Sequence, residues 1–290
     1  MKEKKLIVTA DDFGSIESTN QAIMHCYHHG LVRSASLMAV GSAFEQAVTL
    51  AKATPGLSIG AHLTLVNEKP VLAAKEIPSL VNQDGYLHYS YKVFMKKYFL
   101  RQINLDEVER ELHSQITKVI NRGIKIDYLN SHQHIHLLPE ILRRVIKLAQ
   151  HFNIECLRFP KTSILNLPSL RQAALHVLAS SSKKLFKSSG LKTTDHFLGF
   201  SQSGRISEGI LVSFLNDLEA GISEIVMHPT FEDQEYLTRY KSYYDKTGFK
   251  HQPEKEIAAL TSKSVKQFLI DKNIKLINFS ELCSSKLIQV

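Results

Sequence analysis

The 290-residue sequence predicts an α/β protein built as a (β/α) barrel. Eight apolar runs of strand length recur along the chain, and helical patterns lie between them. No glycine-rich phosphate loop follows the first strand, as a dinucleotide-binding fold would usually show. Alternating strands and helices imply parallel strands joined by right-handed crossovers, either in an open sheet or in a closed barrel. About eight strand–helix units over this length favour the barrel.

Each element is predicted from its own pattern. In the helix that begins at Pro139, apolar residues recur on one face, and proline suits a first helical turn. No linker or low-complexity segment interrupts the chain, so we expect a single domain over residues 1–290. The predicted strands are Leu6–Ala10, Ala35–Val40, Leu57–Leu65, Ile126–Asn130, Ile154–Phe159, Thr194–Leu198, Glu224–His228 and Lys275–Phe279. The predicted helices cover 17–29, 43–53, 105–122, 139–152, 168–187, 207–220 and 254–272.

Three segments, at about 66–104, 160–206 and 229–252, do not fit the repeat of strands and helices, and we call them excursions. The first and third are rich in tyrosine and phenylalanine, and both follow strands that end in histidines. We therefore expect these two to extend over the same face of the barrel. Aromatic side chains there can stack on sugar rings, and packing against the barrel is the alternative explanation.

Composition narrows the class of protein. Hydrophobic residues make up 43% of the chain and charged residues 22%, which is typical of a globular enzyme. The net charge is +8, but the lysines are scattered and no nucleic-acid-binding motif occurs, so we expect no nucleic-acid partner. No secretory signal and no apolar run of about 18 residues is present, which predicts a cytoplasmic protein without a membrane span. The three cysteines, Cys26, Cys156 and Cys283, lie far apart, which favours a reducing compartment and argues against a disulfide framework.

The first strand ends in two consecutive carboxylates, Asp11 and Asp12, and Gly14 follows. Burying adjacent acids costs several kcal/mol unless a cationic group lies beside them. At the carboxyl end of a strand in an α/β protein, that group is often a metal ion or a substrate. The alternative is a solvated turn in which Asp12 lies near a helix start.

Histidines occur at the ends of three later strands. His62 follows Gly60 in the third strand, although a lone strand histidine is more often a core residue. A spacing of two places Asn130, His132, His134 and His136 on one face of an extended segment. Same-face neighbours are roughly 6.6 Å apart, so one metal ion cannot bind all three imidazoles, and one or two would be ligands. His228, before Pro229, is a candidate acid or base.

Together these residues supply a carboxylate and two imidazoles for a metal, a second carboxylate and a spare histidine. A metal-dependent hydrolase needs this set, because the ion activates water while a base accepts a proton and an acid protonates the leaving group. None of the cysteines lies in a nucleophile motif, and no Gly-x-Ser-x-Gly sequence occurs.

The same motifs resemble those of the YdjC-like carbohydrate deacetylases. The resemblance runs over roughly residues 4 to 282 and rests on four motifs in order. These are Thr9-Ala10-Asp11-Asp12-Phe13-Gly14, Gly60-x-His62-Leu63-Thr64, Ser131-His132-Gln133-His134-Ile135-His136 with Pro139, and His228-Pro229. It implies a distorted TIM-like barrel and metal-dependent removal of an acetyl group from an N-acetylated sugar, such as a chitooligosaccharide.

The resemblance also implies roles for single residues. One divalent ion, Mg²⁺ or Zn²⁺, would be bound by Asp12, His62 and His132. Asp11 would be the general base and His228 the general acid. Candidate substrate-binding residues are Arg158, His134 and His136, and for Arg158 orientation of Asp11 is the alternative role. Some relatives carry Asp at the position of Asn130, and relatives are often dimers, so a homodimer is one expected assembly.

Three other functions fit parts of this pattern. Two histidines and a carboxylate also form the iron site of non-haem oxygenases, but those sites usually occur in all-β folds. The second alternative is a sugar-binding protein without activity. The third is a metal-dependent hydrolase that acts on another amide, an ester or a phosphoester. Analysis of the product, acetate or phosphate, separates this third alternative from a deacetylase.

Overall fold

Eight parallel strands form one sheet in the computed structural model, which describes residues 3–160, 170–247 and 251–284. Each strand overlaps one of the eight strands predicted from the sequence. The strands are β1 (Lys4–Phe13), β2 (Ser34–Leu37), β3 (Ser58–Leu63), β4 (Tyr128–Ser131), β5 (Cys156–Leu157), β6 (His196–Leu198), β7 (Gly221–Met227) and β8 (Ile274–Ile277).

The sheet runs in the order β5-β4-β3-β2-β1-β7-β6. On one edge, β1 pairs with β7 from Lys4 to Ala10. On its other edge, β1 pairs first with β8 and then, from Thr9 onward, with β2. Within the described residues β5 and β6 do not pair, so the curved sheet does not close. The parallel strands and the helices that connect them confirm the distorted, single-domain (β/α) barrel, which is open between β5 and β6.

Helices surround the sheet, and all seven predicted helices are present. The predicted helix over 254–272 is two helices that meet at Ser262, whose hydroxyl accepts a hydrogen bond from Val265 N over 3.3 Å. Three further helices, α3, α8 and α11, were not predicted. The helices are α1 (Glu17–His29), α2 (Phe44–Lys52), α3 (Tyr91–Phe99), α4 (Leu105–Asn121), α5 (Pro139–His151), α6 (Leu170–Ser188), α7 (Glu208–Asn216), α8 (Gln234–Thr247), α9 (Pro253–Thr261), α10 (Lys263–Asp271) and α11 (Phe279–Ser284).

Alternate residues of β1 show how the barrel interior is filled. Ile7 packs in a small buried cluster with Tyr128 and Phe279, whose rings stack with centroids 3.9 Å apart. Two residues later, the Thr9 hydroxyl donates to Glu224 Oε1 over 2.9 Å. Since side chains two apart share a face of a strand, Asp11 follows on the same side. The interior thus changes from apolar to polar toward the carboxyl ends of the strands.

The cysteines differ from the sequence-based expectation. Cys156 of β5 and Cys283 of α11 form a disulfide with Cα atoms 6.3 Å apart, whereas Cys26 is free and buried. The sequence argued against a disulfide framework, and the structure nevertheless pairs these two cysteines. The two residues are 127 positions apart, and α11 brings them together by returning to the sheet.

Among the described residues, no helix has the length and apolar character needed to cross a membrane.

Candidate metal centre and active site

A bulge at the end of β1 brings both carboxylates to one side. Between Ala10 and Phe13, β1 advances by three residues while β2 advances by two, from Ala35 to Leu37. Asp12 within this bulge has a φ of 68°, a left-handed conformation that aspartate adopts more readily than most residues. Adjacent residues of a regular strand would point to opposite faces. Here Asp11 and Asp12 both line the same cavity.

Asp12 lies between two histidines from neighbouring strands. Asp12 Oδ1 is 3.0 Å from His132 Nδ1 and 3.3 Å from His62 Nε2. One ligand atom from each of the three residues lies within 4.8 Å of the other two. One carboxylate oxygen and two imidazole nitrogens at this spacing fit the three protein ligands of a catalytic metal site.

Asn130 fixes the orientation of His62. The amide nitrogen of Asn130 donates to Asp11 Oδ1 over 3.2 Å and to Ser36 Oγ over 2.8 Å. Because a carboxylate only accepts, the amide oxygen must face His62, whose Nδ1 donates to it over 2.8 Å. In the neutral tautomer that this contact selects, the lone pair is on the other ring nitrogen, Nε2, which faces Asp12, as a metal ligand requires. This arrangement supports the fit of the cluster to a divalent ion.

Asp11 is paired with a buried arginine. The Arg158 guanidinium donates to Asp11 Oδ2 over 2.6 Å and to Oδ1 over 3.0 Å, and it also donates to Glu224 Oε1 over 2.7 Å. Burial on its own would raise the pKa of Asp11, but the charge of Arg158 holds that pKa well below its ordinary value. Burial raises the pKa of Glu224, and Arg158 opposes this shift. Asp11 is therefore ionised and fixed in position.

The histidine segment after β4 does not stay extended. The strand ends at Ser131, and residues His132–Leu137 form a 3-10 turn in which Gln133 and His134 both have φ 55°. Consecutive left-handed residues turn the chain, so the expected alternation of side chains is lost. The prediction that His132, His134 and His136 share one face is wrong.

The three histidines instead have different surroundings. His132 contacts Asp12, and His134 lines the cavity, with its ring 5.1 Å from the ring of Phe200. His136 is buried outside the cavity lining, where Ser131 Oγ donates to its Nδ1 over 2.6 Å and its Nε2 donates to Arg158 O over 2.8 Å. Burial lowers the pKa of His136 to about 3. His136 thus supports the backbone of Arg158 as a neutral side chain.

His228 follows β7 and is held by two groups. Its backbone N–H donates to Glu256 Oε2 over 2.6 Å, and its Nδ1 lies 3.2 Å from Ser203 Oγ. Burial lowers the pKa of His228, although Asp12 and Asp11 oppose this shift. Glu256 is fully buried and also accepts from Ile206 N over 3.1 Å. Burial raises the pKa of Glu256 to about 7, against the effect of these backbone donors.

A single cavity of about 1050 Å³ joins most of the predicted site residues. Arg158 and His136, which were expected to bind substrate, are fully buried and do not line it. Arg158 contacts Asp11 instead, and its alternative role, orientation of Asp11, depends on this contact. The predicted residues that line the cavity are Asp11, Asp12, His62, His132, His134 and His228.

Sequence reasoning missed several residues that shape the site. Glu224 is an acid within the apolar run of β7, four residues before His228, and was therefore a usable signal. Ser203 and Glu256 carried no such signal, because they reach His228 only through tertiary packing. The Arg239 guanidinium donates to Glu68 beside the cavity, and these two residues come from separate excursions.

A family model described as YdjC-like protein matches residues 5–271. The chain belongs to the YdjC-like family. A relative from Thermoanaerobacter pseudethanolicus, named carbohydrate deacetylase, is 30% identical over 279 residues, which is 96% of this chain and 99% of the relative. Another protein of that name, from Brevibacillus brevis, is 31% identical over 279 residues, 96% of this chain and 99% of its own.

A solved structure resembles this YdjC-like chain over its full length. The protein comes from Enterococcus faecalis V583 and is described as a cellobiose-phosphate cleavage protein. It is 28% identical, with a TM-score of 0.76, and the match covers 97% of this chain and 99% of that one. The similarity therefore extends through the excursions as well as the sheet.

Proposed function

We propose that this YdjC-like protein is a metal-dependent hydrolase that removes the acetyl group from an N-acetylated sugar. The observation that carries the proposal is that Asp12, His62 and His132 converge beside Asp11 and His228 in one cavity. The two relatives named carbohydrate deacetylase, which match over nearly their whole length, support the choice of an acetylated carbohydrate.

Asp12, His62 and His132 would hold one divalent ion. When bound, such an ion supplies polarisation of a carbonyl oxygen and a lowered pKa for a coordinated water. A carboxylate with two imidazoles suits Zn²⁺, whereas Mg²⁺ prefers oxygen ligands and retains several waters. Titration of the protein with each metal in turn therefore shows which of the two ions this site prefers.

Asp11 is the proposed general base. Its Oδ1 already accepts from Arg158, Ser36 and Asn130, whereas Oδ2 accepts only from Arg158 among the described residues. A carboxylate oxygen has two lone pairs, so Oδ2 has capacity to accept the proton of the attacking water. Arg158 fixes that oxygen and keeps Asp11 ionised before the reaction.

His228 is the proposed general acid. The Ser203 hydroxyl is hydrogen-bonded to Nδ1 of His228, so Nε2 is the nitrogen that can deliver a proton to the departing amine. Glu256 fixes the backbone of His228 by accepting from its N–H group. The amide nitrogen leaves as a neutral amine only when it gains a proton, so this proton completes cleavage of the C–N bond.

The experiment that tests this function is acetate release from N,N′-diacetylchitobiose, followed by NMR, with EDTA and with added Zn²⁺ or Mg²⁺. We expect release that EDTA abolishes and one of the metals restores. Phosphate release from a sugar phosphate, or hydrolysis of another amide or ester alone, would assign a different hydrolase. Sugar binding without any hydrolysis would show a binding protein.

A further inference from the structure

The cavity is larger than the reacting group requires. Pockets for small ligands measure about 300–1,000 Å³, and this cavity, at about 1050 Å³, lies at the upper limit. The metal-ligand cluster, which is Asp12, His62 and His132, forms only part of its lining, as do the proposed catalytic residues Asp11 and His228. Three tyrosines from the excursion after β3, Tyr86, Tyr89 and Tyr91, line another part. There is room for more than one sugar ring.

These tyrosines are unusually exposed for aromatic residues. Tyr86 is 45% exposed, Tyr89 is 62% exposed and Tyr91 is 39% exposed. Isolated apolar residues on a surface need no explanation, but a group of them in a cavity marks a binding site. No burial in the core accounts for these three rings.

Hydrogen bonds fix the turn that contains Tyr86 and the side chain of Tyr89. Asn82 N donates to Tyr86 O over 2.8 Å, and Asn82 Oδ1 accepts from the backbone N–H groups of Asp84 and Tyr86 over 2.9 and 3.0 Å. The Tyr89 hydroxyl donates to Asp84 Oδ2 over 2.5 Å. The backbone at Tyr86 and the ring of Tyr89 are thus held in place before a ligand arrives, which lowers the entropy cost of binding.

The turn is also fixed relative to the metal-ligand cluster. Leu87 N donates to Glu68 O and Asn67 N donates to His88 O, each over 2.9 Å. Asn67 and Glu68 follow β3, the strand that carries His62, and both also line the cavity. The distance from the tyrosines to the cluster is therefore set by the fold.

We propose that Tyr86, Tyr89 and Tyr91 form a second sugar subsite, which binds the pyranose ring next to the ring that loses its acetyl group. The apolar C–H face of a pyranose packs on an aromatic ring, and tyrosine hydroxyls can form hydrogen bonds with sugar hydroxyls. The inference rests on the proposed function and makes a disaccharide the minimum good substrate. The tyrosines act in substrate selection and leave the chemical step to other residues.

The test compares N-acetylglucosamine with N,N′-diacetylchitobiose in the wild type and in a Tyr86→Ala/Tyr89→Ala variant. The quantity measured is kcat/KM for the disaccharide divided by kcat/KM for the monosaccharide. We expect the double variant to lower this ratio about tenfold, equivalent to about 1.4 kcal/mol. Tyr89→Phe keeps the ring and should retain most of the ratio. Phe99→Ala is the matched control, because Phe99 is 66% exposed in the same excursion but does not line the cavity.

The two proposals fail in different ways. If acetate is released but the double variant keeps the wild-type ratio, the deacetylase function stands and the subsite is wrong. If no acetate is released, calorimetry with the same two sugars gives the ratio of their Kd values, and a loss of that ratio in the double variant supports the subsite alone. Equal loss on both sugars, or no tighter binding of the disaccharide by the wild type, overturns the subsite.

Discussion

Arg158 donates to both carboxylate oxygens of Asp11, over 2.6 and 3.0 Å, from a position with no solvent exposure. The same guanidinium reaches Glu224, so one cation lies between carboxylates of β1 and β7. Such a buried group is stable only while every partner is present. The proposed base is therefore positioned by a network that lies below the cavity.

Removing Arg158 should destabilise the protein strongly. Arg158→Met leaves Asp11 and Glu224 buried without a cation, and losing one partner of a buried ion pair costs about 3–5 kcal/mol. Urea denaturation measures the change in the free energy of unfolding. Arg122→Met is the matched control, because Arg122 also pairs with a carboxylate, Glu45, but at the surface. We expect no measurable change for Arg122→Met, and equal stabilities of the two variants would show that the buried pair does not hold the site together.

Asn130 should control metal affinity through His62. Asn130→Ala removes the acceptor for His62 Nδ1 and frees the ring to rotate or change tautomer. Loss of such a partner typically lowers metal affinity by about 10- to 100-fold. Competition with a fluorescent chelator measures the metal Kd, and Asn121→Ala, at the exposed end of α4, is the control. An unchanged Kd in Asn130→Ala would separate this amide from the metal centre.

Gly60 is required by a neighbouring side chain. A Cβ atom at position 60 would lie 2.4 Å from the Tyr128 ring, which is fully buried and stacked on Phe279. Gly60→Ala must displace that ring, and overpacking of this kind costs about 1–3 kcal/mol. In Gly209→Ala the new Cβ meets nothing within 4 Å, so that helical control should gain about 0.5–1 kcal/mol. Thermal unfolding of both variants checks the contrast, and a neutral Gly60→Ala would contradict it.

Glu256 should make stability depend on pH. Its pKa rises from 4.5 to about 7 on folding. Between these values the folded protein keeps a proton that the unfolded chain releases, so this contribution is complete below pH 4.5 and is lost as pH rises to 7. The linkage is at most about 3 kcal/mol. Urea denaturation at both pH values should show a smaller loss in Glu256→Gln than in the wild type.

The control for this linkage is Glu254→Gln. Glu254 is exposed on the same helix, α9, and its variant should keep the wild-type difference between the two pH values. Because other groups titrate in the same range, only the difference between wild type and variant is informative. An identical pH dependence in Glu256→Gln and the wild type would mean that folded Glu256 does not retain its proton between pH 4.5 and about 7.

Local patterns were sufficient to predict the strands and most helices. The helix α5 was evident from Pro139 and its apolar face, and the run from Leu6 to Ala10 was evident from hydrophobicity alone. Asp12, His62 and His132 were also identifiable, because polar residues at the carboxyl ends of parallel strands meet at one edge of the sheet.

What escaped prediction depends on long-range packing or unusual backbone. Two successive left-handed residues, Gln133 and His134, turn the chain just after β4, and no residue-type signal marks such a turn. The contact of Glu256 with His228 joins α9 to the end of β7, and the Cys156–Cys283 disulfide joins two elements 127 residues apart. Neither pairing follows from local sequence.

The adjacent carboxylates Asp11 and Asp12 have separate roles in the proposed reaction, and one paired measurement tests this separation most directly. Metal content and acetate release are measured on the same preparations of Asp11→Asn, Asp12→Asn and the wild type. We expect Asp11→Asn to bind metal as the wild type does and to lose about 10²- to 10⁴-fold in turnover, as removal of a general base does. Asp12→Asn should lose the metal. Loss of metal in Asp11→Asn, or near-normal turnover with the metal bound, would contradict the account.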